Sequence, residues 1–312
     1  MTHLTKCLMK CKEESLKTSF QTRVWLFGLK SEILYTKPQN IERRIRFLRS
    51  VIIIMKFNTF GNPSNPIIVM LTGSFCPAES MENLYSKLCS DFYIVAPTYN
   101  GHYNGSKDFT TRQNEAAEIK QYLKEQQMTS VKLVYGQSMG SEIGIELMNQ
   151  LLADEIAVEN ALFDGAPCIK LSKAYKAFML FKFRTMIKML RGKTIEDAMN
   201  IPLIKKFSNG DPEALKPMIE PIIKVAPYLN DNSIKNEVEC CYTFDFPQFD
   251  TETQKRMHFF YDKDEKACRT CLKLVQKAYP QADYRIVSGY GHLIYCCKHT
   301  DEYIDWIKKI CT

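Results

Sequence analysis

The chain has 312 residues, 45% of them hydrophobic, enough for one large core or a core with a smaller appended unit. Its formal charge is +7, but residues 1–54 hold 11 Lys and Arg against 4 Glu, while residues 55–312 carry 31 of each sign. The positive charge therefore sits in one terminal stretch over a neutral body, which excludes a nucleic-acid footprint spread across the molecule.

Residues 1–54 read as a basic, poorly packed extension, with the functional domain opening at Met55 in "MKFNTFGNPSNPIIVMLTG". The apolar run of "IERRIRFLRSVIII" is too short to span a bilayer. The opening "MTHLTKCLMKCKEESLKTSF" lacks the continuous apolar stretch of a secretory signal. Twelve cysteines raise the question of disulfides or metal, and the spacing answers it. Cys268 and Cys271 make one C-x-x-C, Cys7 and Cys11 are separated by three residues, and nothing nearby completes a tetrahedral site. Cys240/Cys241 and Cys296/Cys297 are adjacent, a poor geometry for chelation. The expectation is a cytoplasmic protein with reduced, mostly buried thiols, no metal and no cofactor.

From residue 66 onward, short apolar runs alternate with helical patterns. Strand-length runs bounded by Gly, Pro, Asp or Asn fall at 66–71, 91–96, 131–135, 159–164, 256–261 and 283–287. Helical patterns fall between and after them, at 79–89, 112–126, 138–152, 266–278 and 300–310. In the third of these Ile143, Leu147, Met148, Leu151 and Leu152 share one face. The alternation predicts an α/β protein with a mostly parallel sheet flanked by helices. It breaks at 168–250, a helix-like stretch punctuated by Pro202, Pro212, Pro217 and Pro221, with capping patterns at Thr194/Asp197 and Asp211/Pro212. That stretch reads as a helical cap inserted between two strands, leaving 55–167 and 251–312 as the core.

The stretch "VYGQSMGSEIG" places Ser138 between Gly136 and Gly140, after a strand and at the start of a helix. This is the context a nucleophile elbow needs: a sharp turn lifts the hydroxyl, and the helix N-terminus favours developing negative charge. A serine is a weak nucleophile without a base. Of the five histidines, His3 lies in the extension, His258 inside a strand run and His299 at the start of the last helix. His292, in the loop "VSGYGHLIY" past the last strand, is the best base, because ligands collect at the carboxyl edge of open α/β sheets. The acid should follow a late strand, where "RMHFFYDKDEK" offers Asp262, Asp264 and Glu265. Asp264 is preferred to Asp262, since the first residue after a strand is less free to reach across.

Taken together, "GQSMG", "FFYDKDEKA" and "GYGHLIY", in that order around an inserted cap, resemble the α/β-hydrolase superfamily over essentially all of residues 55–312. "LFDGAP" and "APTYNGHYNGS" are also similar to segments of that family. The resemblance implies Asp264 as the acid of a triad with Ser138 and His292, and it puts His102 in a structural loop. It implies an oxyanion hole built from the N–H of Met139 and one from "LTGSFCPAES", donated by Ser74 or Phe75. Two departures stand out: Thr72-Gly73 where many relatives have His-Gly, and Ser141 where a further glycine is frequent.

The expected function is a serine hydrolase that cleaves a carboxylic ester or thioester of a small acyl substrate through an acyl-enzyme. Residues 170–193 hold eight Lys and Arg and no Asp or Glu, interleaved with aromatic and aliphatic residues. One reading is an apolar gate whose basic rim meets an anionic lipid or substrate. The plainer and preferred one is a helix packing its apolar side on the sheet while its lysines are solvated. The competing functions are a proline-type aminopeptidase, which needs an acidic site for its substrate's amine, and a binding protein that keeps the fold without turnover.

Overall fold

The computed structural model describes residues 55–207 and 211–312. The extension at 1–54, with His3, Cys7 and Cys11, lies outside the described residues. Seven strands form one sheet: β1 (Lys56–Phe60), β2 (Ile67–Leu71), β3 (Tyr93–Thr98), β4 (Ser130–Gln137), β5 (Ala157–Asp164), β6 (Met257–Asp262) and β7 (Asp283–Val287). Their spatial order is β1-β3-β2-β4-β5-β6-β7, with β1 antiparallel to β3 and every other pairing parallel. The polar strand β1, KFNTF, carries no apolar run to announce it, and it pairs at the edge, where one face need not be apolar.

The continuous apolar runs follow from burial on both faces. Ile68, Met70, Leu133, Tyr135, Leu162 and Phe260 point into one core cluster, and Val69, Leu71, Val134, Phe163, Phe259 and Tyr261 into the other. Helix α1 (Glu82–Leu88) covers the first face, while α2 (Arg112–Glu125) and α3 (Met139–Ala153) cover the second. Between β5 and β6 the chain is helical: α4 (Lys173–Leu190), α5 (Ile195–Met199), α6 (Pro202–Phe207), α7 (Lys216–Val225), α8 (Asp231–Tyr242) and α9 (Thr251–Lys255). Thr194 Oγ1 accepts from the Asp197 N–H at 3.2 Å and Asp211 Oδ1 from Ala214 N–H at 3.3 Å, so both capping patterns form. After β6 come α10 (Lys266–Ala278), α11 (Ile294–Lys298) and α12 (Thr300–Ile310).

Helix α4 packs one apolar side inward, with Leu180, Phe183 and Met186 partly buried against the core. Met179, Ile187 and Leu190 are buried beneath it, yet Tyr175, Phe178 and Phe181 remain 53%, 54% and 66% exposed. The ten cysteines among the described residues are free thiols, most of them buried, and no helix among those residues is long and apolar enough to cross a membrane.

The order of the strands decides where chemistry can sit. The chain leaves β2 towards β3 on one side and returns to β4 on the other, so β2 and β4 flank the point where the winding reverses. At their carboxyl ends the loops diverge and open a crevice. The two segments that meet there are 72–76, after β2, and Ser138, after β4.

Candidate active site

Ser138 stands between β4 and α3 with φ 51° and ψ −120°, a backbone conformation that a non-glycine residue rarely adopts. Two glycines allow it. A Cβ on Gly136 would lie 2.5 Å from the Gly140 carbonyl oxygen, and one on Gly140 would lie 2.2 Å from the Leu71 carbonyl oxygen. Helix α3 therefore starts pressed against the end of β2. The Ser138 N–H donates to the Asp164 carbonyl at 2.7 Å, and Ser141 Oγ donates to the Gly136 carbonyl at 2.8 Å, bracing the turn on both sides.

The residue after Asp164 brings in the base. Gly165 has φ 63°, and a Cβ there would lie 2.5 Å from His292 Cε1, so the imidazole rests against glycine backbone next to the carbonyl that holds Ser138. His292 Nδ1 is 2.5 Å from Glu265 Oε2. With Nδ1–H donating to the carboxylate, Nε2 is the basic nitrogen of the ring. Burial works against the imidazolium, but the Glu265 hydrogen bond and the charges of Glu265 and Asp164 outweigh it and raise the His292 pKa above 6.5. Asp164 is itself fully buried, pushed up to about 7 by desolvation against the hydrogen bond that Tyr303 donates to its Oδ2 at 2.7 Å.

The acid on His292 is thus Glu265 and not the expected Asp264. Asp264 Oδ2 accepts from the Gly289 N–H at 2.8 Å, and its other oxygen lies 3.6 Å from Arg269. Asp262 is occupied as well, taking the Asp264 N–H at 2.7 Å and the Tyr290 N–H at 2.9 Å. Both aspartates are taken up in tying the turn after β6 to the loop after β7. Glu265, at the N-cap of α10 and one methylene longer, reaches the imidazole while its Oε1 accepts from the Asp262 N–H at 3.0 Å. Its position three residues past the strand end is visible in the sequence; its direction is set by how the turn folds.

Of the expected oxyanion donors, Met139 opens α3 directly after Ser138, and Ser74 follows Gly73, whose added Cβ would sit 3.3 Å from Ser138 Cβ. Phe75 does not serve as expected: its N–H is spent on Glu237 Oε2 at 2.9 Å. That leaves Met139 and Ser74 as the pair beside the serine. His102 is buried in its loop with Nδ1 on the Asn100 carbonyl at 3.0 Å, and His258 pairs with Asp283 at 3.2 Å, both apart from Ser138. His299 stands at the N-cap of α12, its ring packed on Tyr290 and Tyr295.

No family model matches the sequence, and no curated protein matches it. Solved structures do match. A protein of the alpha/beta hydrolase family from Desulfitobacterium hafniense superposes with a TM-score of 0.66 at 17% identity, covering 82% of this chain and all of that one. An enol-lactonase from Burkholderia xenovorans gives 0.62 at 14% identity over 82% and 95% of the two chains. A carboxylesterase from Bacillus subtilis gives 0.59 at 15% over 82% and 87%. The chain has the α/β-hydrolase fold.

Within an α/β-hydrolase fold, the two departures from the common pattern acquire a physical account. Ser141, in place of a further glycine, is satisfied by the Gly136 and Asp164 carbonyls, the second at 3.3 Å, so it adds a brace to the elbow without leaving a buried hydroxyl unpaired. Thr72, in place of histidine, donates its hydroxyl to the Cys76 carbonyl at 2.6 Å and closes the loop that carries Ser74. Among the described residues no cluster of side chains has the make-up of a metal site.

Proposed function

We infer that the protein is a serine hydrolase cleaving a carboxylic ester or thioester through an acyl-enzyme. The observation that carries this reading is the run of contacts from Glu265 through His292 to the Gly165 backbone beside the strained Ser138. In the reaction, His292 Nε2 takes the Ser138 proton as Oγ attacks the carbonyl carbon. The oxygen that becomes negative is met by the N–H of Met139, at the N-terminus of α3, and that of Ser74, in the loop after β2. The imidazolium then gives its proton to the departing alcohol or thiol as the C–O or C–S bond breaks. Water repeats the sequence on the acyl-enzyme, with His292 as base, and releases the acid.

Structures named as esterases, a carboxylesterase and a lactonase share the fold, which supports acyl chemistry over other uses of it. The basic segment 170–193 disfavours the aminopeptidase reading, because a cationic amine is repelled where a carboxylate is needed. The cap is instead proposed to meet an anionic lipid surface through α4. The test of function is turnover of p-nitrophenyl esters of increasing acyl length beside a prolyl anilide. Ester hydrolysis that disappears in Ser138→Ala is the expected result. Faster cleavage of the prolyl anilide, or ligand binding by folded protein without turnover, overturns the reading.

A further inference from the structure

Helix α8 of the cap is stitched to the core along one face. Ser233 Oγ accepts the Phe109 N–H at 3.1 Å, Asn236 Nδ2 donates to the Phe109 carbonyl at 2.8 Å, and the Cys240 carbonyl takes Arg112 Nη1 at 2.8 Å. Cys241 Sγ lies 3.3 Å from Ser74 Oγ. These positions, 233, 236, 240 and 241, repeat with the helical period, and Glu237 sits in their middle with its side chain fully buried. Burying a carboxyl is costly unless its oxygens are used. Oε2 accepts the Phe75 N–H at 2.9 Å, and Oε1 lies 3.4 Å from His102 Nε2.

The partner is well defined. His102 Nδ1–H is committed to the Asn100 carbonyl, so Nε2 faces Glu237 as an acceptor. Burial draws His102 down to about 4, against its backbone hydrogen bonds, and holds Glu237 well above the carboxylate range, against the Phe75 bond. Burial of the pair thus favours the neutral form of each group. On the other side, Phe75 is held at φ 64°, a left-handed conformation unusual for an aromatic residue, with its ring edge-on to Phe183 of α4 at 5.1 Å. Phe75 directly follows Ser74, between Gly73, in contact with Ser138, and the turn that returns Cys76 N–H to the Gly73 carbonyl at 3.2 Å.

We propose that Glu237 is a positioning residue for the oxyanion hole: by accepting the Phe75 N–H, this cap side chain helps fix the loop that aims Ser74 N–H at the reacting oxygen. The proposal rests on the hydrolase reading and adds to it that the cap is a built-in part of the catalytic site at α8. Removing the acceptor leaves the Phe75 N–H unpaired and releases the loop. The effect falls on transition-state stabilisation, so kcat drops while KM holds.

The test joins two readouts on the full chain. Hydrogen exchange of the 72–78 peptide reports the loop without reference to activity, and the rate of phosphonylation by a fluorophosphonate reports the site. Glu237→Leu is expected to lose protection in that peptide and to react about 10-fold more slowly or worse, since direct loss of an oxyanion donor costs about 10²–10³. Glu237→Gln, which keeps an oxygen for Phe75 and offers an N–H to His102, is expected to restore both. If Glu237→Leu does not fold, Glu237→Asp, whose carboxyl is retracted by one methylene, carries the same expectation. A deprotected loop with a wild-type labelling rate, or unchanged protection, overturns the positioning role alone. Wild-type protein that never labels overturns the hydrolase reading itself, and the positioning role with it.

Discussion

One methylene decides the acid. Asp262 and Asp264 are consumed by backbone N–H groups of the turn after β6 and the loop after β7, and Glu265 is long enough to reach His292. Glu265→Gln should therefore lower kcat/KM by roughly 10²–10⁴, by analogy with loss of a triad acid, whereas Asp264→Asn should leave it within a few-fold. The pH profile carries a second signature. The base works as neutral imidazole, so kcat/KM rises with pH through the His292 pKa, which lies above 6.5. Glu265→Gln removes the main opposition to desolvation, and the rising limb should move to lower pH. The same shift has a sign for stability: a His pKa raised on folding stabilises most below the unfolded value, and that contribution is lost as pH climbs through the folded one. Glycines are equally specific in their demands. Gly140→Ala would set a methyl 2.2 Å from the Leu71 carbonyl, so α3 must move off β2. Roughly 2–3 kcal/mol of destabilisation is expected from such overpacking, read as a lowered unfolding midpoint.

At the scale of elements, two cap helices differ in kind. Helix α8 uses one face for hydrogen bonds to the core, while α4 shows aromatic residues outward, with Lys182 Nζ 5.8 Å from the Phe178 ring. An exposed aromatic face on a segment with no acidic residue is suited to an anionic bilayer surface, where rings enter the headgroup boundary and lysines meet phosphate. Sedimentation with phosphatidylserine-containing vesicles should carry the protein down, and the pair Phe178→Glu, Phe181→Glu should weaken this by about 10-fold or more, given roughly 1.5–3 kcal/mol per buried ring. Equal recovery with neutral and anionic vesicles contradicts that role. The sequence made most elements legible: the runs at 66–71 and 131–135 and the helical pattern at 266–278 lie close to β2, β4 and α10, because continuous apolar runs and helical periodicity are the direct imprint of two-sided burial. Edge strand β1, half exposed and polar, left no such imprint. The outward face of α4 was hidden for a related reason, since periodicity marks a stripe without telling which side of it is covered.

For the molecule as a whole, the site is assembled from segments far apart in sequence by the sheet's winding. Strands β2 and β4 deliver Ser74 and Ser138 to one crevice, and the ends of β5, β6 and β7 deliver Gly165, Glu265 and His292 beside it. The serine and histidine were legible because their motifs are local, a glycine-flanked elbow and a glycine-bearing loop after a strand. The choice among three neighbouring acids, and the capture of Phe75 by Glu237, were not, because both depend on side-chain reach across 27 and 162 positions of the chain. The proposed function turns on Ser138 being an activated nucleophile. It is tested most directly by treating the full chain with a fluorophosphonate and locating the adduct by peptide mass spectrometry, beside Ser138→Ala. One adduct is expected, on Ser138 and absent in the variant. An adduct that persists in Ser138→Ala, or folded wild-type protein that stays unmodified, contradicts it.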